Sequence, residues 1–287
     1  MNSKKQQIVN AAYSLFINKG YNASSIQDIL NESGVSKGTF YNYFTSKTEC
    51  LIAIMESIGS EIRQKRMAAA AGKPIEDLNV LAEQLCIRIR LNREKNLFAL
   101  YESIFYSQDE ELKKFSRSTY VAEMEWISSR ITDVFGEKAK PYALENAAIV
   151  HGSIQQLTHI WKLNSSQDLP TQKLAAFVIR RLEAAITTQI ETGDHFLGEM
   201  NFSSIKPLES ITPAELSDQL KESAHLLDEE EEAVIKELIG FVAEELASVT
   251  PRRILIESAL STITTHQIHE PKLLILLEQV WKQLQKL

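Results

Sequence analysis

Apolar residues recur at steps of three and four along nearly the whole of this chain, which is the period of an α-helix. Val150, Ile154, Leu157 and Trp161, for example, are spaced by four, three and four positions. No stretch shows the two-residue alternation of a half-buried strand, and only 10 Gly and 7 Pro occur in 287 residues. The sequence therefore predicts an all-α fold.

Helix start and stop signals divide this pattern into three parts. In the first part, Gly20 and Gly34 each follow an apolar-periodic segment, as glycine does at helix C-termini. Residues 193–211 interrupt the pattern with Gly, Ser and Pro, and Thr212 then opens a Thr-Pro-Ala-Glu helix start. We therefore predict a DNA-sized small domain at 1–50, a helical domain at 51–192 and an additional acidic helical domain at 206–287.

Composition and cysteine usage exclude several classes of protein. No run approaches the roughly 18 apolar residues that span a bilayer, and the apolar residues near the N-terminus are spaced rather than continuous. The two cysteines, Cys50 and Cys86, lack metal-ligand spacing and indicate a cytoplasmic location. No Gly-rich phosphate loop, Ser/His/Asp or Cys/His constellation or metal cluster is present. We expect no membrane contact, catalytic residue, metal or cofactor, and hence not an enzyme.

The net charge of −7 is unevenly distributed along the chain. Residues 1–50 carry 5 basic and 3 acidic side chains, whereas residues 191–287 carry 8 basic and 18 acidic ones. A polyanionic partner would therefore meet the N-terminal end first.

The segment GVSKGTFYNYF at positions 34–44 points to the kind of partner. Phe40 and Phe44 are four apart, so we expect them to pack on the first helix and on Leu51. The opposite side has one cation, several hydrogen-bonding groups and no carboxylate: Lys37, Thr39, Tyr41, Asn42 and Tyr43. Such a surface suits phosphate oxygens and base edges, and Gly38 lets the backbone come close to a partner. A short helix, a glycine turn and a donor-rich second helix indicate a helix-turn-helix.

The stretch from Ile8 to Leu51 resembles the DNA-binding domain of the TetR (tetracycline repressor) family. The matching residues are Ile8, Ala11, Ala12, Phe16, Gly20, Tyr21, Ser25, Ile26, Ile29, Gly34, Val35, Ser36, Lys37, Gly38, Thr39, Phe40, Tyr41, Phe44, Lys47 and Leu51. The plan that follows, with an antiparallel helix pair near residues 141–190, is also similar to that family. Leu30 and Ser33 depart from it, because small alanines are usual at those positions.

The resemblance implies which residues contact DNA. The implied contacts are Gln27, Ser36, Lys37, Gly38, Thr39, Tyr41, Asn42, Tyr43 and Lys47. Among them, Lys47 matches a position that grips a phosphate, and Asn42 is an uncommon choice that leaves the base preference open. Gln27 matches a base-reading position, but it is also the third residue after Ser24 and could instead complete a capping box.

The resemblance also implies a dimer and a small-molecule effector. Residues 141–163 and 170–190 form an apolar helix pair that would build a four-helix bundle with a second copy, or would instead complete the core of one copy. Polar and aromatic residues of the middle domain are candidate ligand contacts, although aromatic residues at helical spacing also suit a core. They are Tyr101, Phe105, Tyr106, Met124, Trp126, His151, Gln155, His159 and Trp161.

The predicted function is that of a homodimeric repressor that leaves a palindromic double-stranded DNA operator when a small-molecule effector binds. A ligand-dependent activator is one alternative. A protein-interaction regulator that uses the acidic C-terminal domain is another, since five consecutive acidic residues occupy positions 228–232. Those acidic residues could equally be the solvated start of a helix.

Overall fold

Every secondary-structure element in the described part of the chain is a helix, which confirms the predicted all-α fold class. The structure is a computed structural model, and it describes residues 3–97, 100–101, 104, 107–198, 212–225, 227, 233–266, 268 and 270–284. The candidate ligand residues Phe105 and Tyr106 and the acidic run 228–232 lie outside these ranges, as does most of the predicted linker.

The helices follow one another with short connections. The N-terminal half contains α1 (Ser3–Asn18), α2 (Ile26–Ser33), α3 (Lys37–Tyr41), α4 (Lys47–Ala70), α5 (Leu78–Glu94) and α6 (Glu110–Phe135). A 3₁₀ turn (Glu137–Tyr142) leads into α7 (Ala143–Asn164) and α8 (Thr171–Thr192). The C-terminal part contains α9 (Pro213–Ala224), α10 (Ala233–Leu246), α11 (Arg253–Thr265) and α12 (Pro271–Leu284).

The helices group into two compact units that differ from a simple division along the sequence. Unit 1 comprises Met1–Gly59 and Arg88–Glu123, and unit 2 comprises Ser60–Ile87 and Met124–Leu287. The division of the chain at residues 50, 192 and 206 stays a prediction.

Within unit 1, hydrogen bonds join the N-terminal helices to the segment that contains α6. Thr48 at the start of α4 donates from Oγ1 to Asp109 Oδ2 at 2.8 Å, and its hydroxyl is also 3.1 Å from the Tyr21 hydroxyl. Asp109 in turn accepts from the first backbone N–H groups of α6, so it caps that helix. The Thr48 hydroxyl, followed by these backbone N–H groups, holds the pKa of Asp109 below its usual range.

Within unit 2, the C-terminal helices α9 to α12 build an apolar core of their own, with Leu216, Ile239, Ile263 and Leu277 among its fully buried residues. Met67 of α4 belongs to the same buried cluster. Gln64, one turn earlier on α4, donates to the backbone carbonyl of Thr264 at 2.9 Å and to that of His266. The C-terminal helices therefore pack onto the end of α4.

Candidate nucleic-acid interface

Helix α2 and the turn that follows it are fixed by residues at both ends. Ser25 is the N-cap: its Oγ accepts from the Asp28 N–H at 3.2 Å, and the Asp28 carboxylate accepts from the Ser25 N–H at 2.8 Å. Asp28 also pairs with Lys19 at 2.9 Å, and these contacts hold its pKa well below the usual range. At the other end, Gly34 has φ +65°, a conformation that glycine adopts without strain.

The capping box decides one of the alternatives left open for Gln27. Because Ser25 rather than Ser24 is the N-cap, Asp28 fills the position that would have made Gln27 a capping residue. Gln27 is exposed, and its Nε2 donates only 2.9 Å along the same helix surface to Asn31 Oδ1. The capping interpretation of Gln27 is therefore wrong, and its side chain faces solvent.

Helix α3 is held to the protein by one residue. Ser36 caps it by accepting from the Thr39 N–H at 3.1 Å, and Phe40 is the buried residue among its five. Phe40 is 0% exposed and lies 6.0 Å from the ring of Phe44, which is 2% exposed. The predicted inward side of this segment is confirmed.

The outward side of the segment is shorter as a helix than the sequence suggested. Lys37, Gly38 and Tyr41 are exposed on α3, whereas Asn42 is the exposed cap residue and Tyr43 lies beyond the helix and is half-buried. Tyr41 is 47% exposed, and its ring meets the Phe40 ring edge to face at 5.4 Å. The exposed side chains therefore lie on one short helix and its last turn.

This surface has the charge that a phosphate backbone requires. No acidic residue occurs between Glu32 and Glu49, so Lys37 is the charged group on the exposed side of α3. A Cβ atom added at Gly38 would meet only Ser36 Oγ, at 3.9 Å. The protein's own packing therefore does not explain a glycine in this helix, where glycine costs about 1 kcal/mol relative to alanine.

Lys47, predicted to grip a phosphate, has partners inside the protein. Its Nζ donates to the backbone carbonyls of Tyr21 and Ser24, both at 2.8 Å, and lies 4.3 Å from the centre of the Tyr21 ring. Burial lowers the pKa of Lys47. These contacts could not be found in the sequence, because they join residues 23 and 26 positions apart.

The candidate ligand residues occupy varied environments. Met124 is buried, Tyr101, His151 and Trp161 are half-buried, and Gln155 and His159 are exposed. Trp126 is covered by the guanidinium of Arg66, whose Cζ lies 3.5 Å from the centre of the ring. A groove of about 490 Å³ between α7 and α8 is lined by other residues, including Ile149, Phe177 and Leu182. Ligand binding by the nine candidates stays a prediction.

Two searches over the described residues give negative results. No group of three or more His, Cys, Asp or Glu side chains there is placed to hold a metal ion. Among the same residues, no helix has the length and apolarity needed to cross a bilayer.

The fold and this surface define a helix-turn-helix DNA-binding protein, and comparison with known proteins gives its family. Residues 8–54 match the family described as bacterial regulatory proteins, tetR family. The N-terminal domain therefore belongs to the TetR family, and the predicted resemblance is confirmed. The chain is a DNA-binding transcriptional regulator of this type.

Two Bacillus subtilis (strain 168) proteins are similar over most of their length. The uncharacterized HTH-type transcriptional regulator YerO is 24% identical, over 92% of this chain and 90% of its own. The uncharacterized HTH-type transcriptional regulator YuxN is 23% identical, over 92% of this chain and 93% of its own. A crystal structure of a TerR/AcrR family transcriptional regulator from Aquifex aeolicus VF5 is 24% identical, with 65% of this chain and 99% of that chain covered and a TM-score of 0.44.

Proposed function

We propose that this protein is a homodimeric cytoplasmic repressor, which binds a palindromic DNA operator through α3 and leaves it when a small-molecule effector binds. The observation that carries the DNA-binding part is the exposed side of α3 with its last turn. It presents Lys37, Tyr41 and Asn42 around a glycine and carries no carboxylate. Phosphate oxygens attract the cation, while the hydroxyl and amide groups can hydrogen-bond base edges.

The test is fluorescence anisotropy with a duplex taken from upstream of the protein's own gene and a scrambled duplex of equal length. We expect tighter binding to the upstream duplex and a steep loss of affinity as salt increases, because bound phosphates release counterions. Equal affinity for both duplexes, or no salt-sensitive binding, would contradict the proposal.

Replacing Gly38 with alanine should separate stability from DNA binding. Alanine fits the backbone of this helix, so the free energy of unfolding should rise by about 0.5–1 kcal/mol. The new methyl group would project into the space that DNA is proposed to fill, and affinity for the upstream duplex should fall about tenfold, or about 1.4 kcal/mol. Thermal melting and anisotropy measure the two effects.

The matched control is Gly34→Ala in the turn before α3. Its φ of +65° is unfavourable for alanine, so this variant should lose stability by about 1–2 kcal/mol. If Gly38→Ala binds the duplex as tightly as the unaltered protein, the proposed close approach of DNA at Gly38 is wrong.

The dimer is supported by the surface of the α7–α8 pair. Ile149, Ile160 and Leu163 of α7 are 55%, 53% and 71% exposed, and Phe177 of α8 is 38% exposed. Burying such side chains against a second copy would remove apolar surface from water at roughly 25 cal/mol per Å². A helix-turn-helix dimer also matches two half-sites about one helical turn apart, which is why we propose a palindromic operator.

Replacing Ile149 with aspartate should break this dimer, since a buried unpaired carboxylate is strongly unfavourable. Analytical ultracentrifugation should give twice the chain mass of 32.5 kDa for the unaltered protein and the chain mass for Ile149→Asp. Val249→Asp, at a 99% exposed position after α10, is the control and should remain dimeric. A dimeric Ile149→Asp protein would place the subunit contact elsewhere.

Effector release would be a population shift. A small molecule that binds the middle domain more tightly in the state that does not fit DNA lowers operator affinity by its differential affinity for the two states. Mass spectrometry of the purified protein can identify a bound molecule, and adding that molecule should raise the dissociation constant in the anisotropy assay. Tighter DNA binding in its presence would favour the ligand-dependent activator.

The alternative role of the C-terminal helices as a docking domain for a protein partner has less support than a packing role. Met67 and Gln64 of α4 are in contact with these helices. We therefore propose that α9 to α12 stabilise the end of α4.

A further inference from the structure

Lys47 is the first residue of α4, a place where a cation is electrostatically unfavourable. The N-terminal end of a helix carries a partial positive charge, and a nearby cation typically costs about 0.3–1 kcal/mol there. Its ammonium group has compensating partners: the carbonyl oxygens of Tyr21 and Ser24, each 2.8 Å from Nζ. These two bonds use two of the three N–H groups of the ammonium.

The aromatic partner of Lys47 is held in place by its own neighbours. The Tyr21 ring, 4.3 Å from Nζ, is 7% exposed and meets the Phe16 ring edge to face at 5.1 Å. Its hydroxyl is 3.1 Å from the Thr48 hydroxyl. The lysine side chain is thus fixed by two carbonyl oxygens and a buried ring that cannot shift freely.

The carbonyl contacts connect the start of α4 to the start of α2. Ser24 directly precedes Ser25, the N-cap of α2, and its own Oγ donates to the Gly20 carbonyl at 2.7 Å. Helix α2 leads through Gly34 into α3. The position of α2, and the presentation of the helix that follows it, therefore depend on this connection.

We propose that Lys47 is a positioning residue for DNA binding rather than a phosphate ligand. It acts by fastening the α1–α2 connection to α4 and so fixes the geometry of α2 and α3. Turning its ammonium toward a phosphate would remove a charged donor from two carbonyl oxygens and a cation from the Tyr21 ring. This inference rests on the proposed DNA-binding function.

The test compares three variants in a salt series with the upstream duplex. Lys37→Ala removes the exposed cation of α3, Lys47→Met keeps the aliphatic stem of Lys47 without a donor, and Lys47→Gln removes the charge but keeps an NH₂ donor. A lost phosphate contact lowers the slope of log affinity against log salt by about 0.9. We expect that change for Lys37→Ala and an unchanged slope for both Lys47 variants.

Affinity and melting temperature complete the test. Lys47→Met should bind about tenfold more weakly at every salt concentration. Lys47→Gln should bind more tightly than Lys47→Met, because its amide can still reach a carbonyl. A slope lowered by about 0.9 in both Lys47 variants, with equal affinities, would show a phosphate contact and overturn the proposal. If Lys47→Met does not fold, Lys47→Gln and its slope decide the matter.

Melting without DNA separates this inference from the proposed function. Lys47→Met should melt at a lower temperature than Lys37→Ala, whether or not the duplex binds. Equal melting temperatures would overturn the positioning role. Absence of salt-sensitive binding by the unaltered protein would instead contradict the proposed function.

Discussion

Replacing Phe40 with alanine is expected to lower the free energy of unfolding by about 3–5 kcal/mol and to abolish specific DNA binding. Helix α3 has five residues, too few to be stable alone, and Phe40 is its buried residue. The ring lies against Phe44 and under the edge of Tyr41. Without it, the surface that carries Lys37 and Tyr41 would lose its attachment to the protein. Chemical denaturation and anisotropy measure the two losses.

The neighbouring residue provides the control for this substitution. Tyr41 is 47% exposed, so Tyr41→Ala should change the free energy of unfolding by less than about 1 kcal/mol while still weakening DNA binding. Phe40→Leu, which keeps most of the buried volume, should retain more stability and affinity than Phe40→Ala. A Phe40→Ala protein that binds the upstream duplex normally would show that α3 does not present the DNA-binding surface.

Replacing Arg130 with alanine should have a similarly large effect in unit 2, lowering the free energy of unfolding by about 3–5 kcal/mol. Arg130 is 2% exposed and its guanidinium joins three segments. It donates to Gln84 Oε1 at 3.0 Å, to the Ile75 carbonyl at 3.0 Å and to Asp133 Oδ2 at 2.9 Å. The variant would leave these acceptors without their charged donor, and buried unpaired acceptors are costly.

Two further variants test the reason for that loss. Arg130→Lys keeps the charge but cannot reach all three acceptors with one ammonium, so it should recover only part of the stability. Lys140→Ala removes an exposed i,i+3 pair with Glu137 and should change the free energy of unfolding by less than about 0.5 kcal/mol. An Arg130→Ala protein as stable as Lys140→Ala would contradict the structural role of the buried guanidinium.

The helix-turn-helix could be predicted from sequence because its determinants are local. The glycine at 34, the serine at 36 and the four-residue spacing of Phe40 and Phe44 all act within a few positions. The same local rules misplaced Gln27, since two adjacent serines offered two caps and only the backbone conformation of Ser25 selects between them. They also extended α3 past Tyr41, where the helix ends.

Contacts between distant residues could not be predicted in the same way. Lys47 reads in the sequence as an exposed cation near a DNA surface, yet its carbonyl partners lie in the α1–α2 connection. The bond from Gln64 to the Thr264 carbonyl joins residues 200 positions apart. The ligand candidates share this difficulty, because an aromatic residue at helical spacing fits a core and a pocket equally well.

The central claim is that the exposed side of α3 contacts DNA, and photo-crosslinking tests it most directly. A photoreactive phenylalanine analogue would replace Tyr41 in one protein and Tyr120 in another, since these tyrosines are 47% and 48% exposed. With the upstream duplex, we predict crosslinks from position 41 and none from position 120, and an excess of the same unlabelled duplex should abolish them. Crosslinks at position 120 but not at position 41, or equal yields at both, would contradict the account.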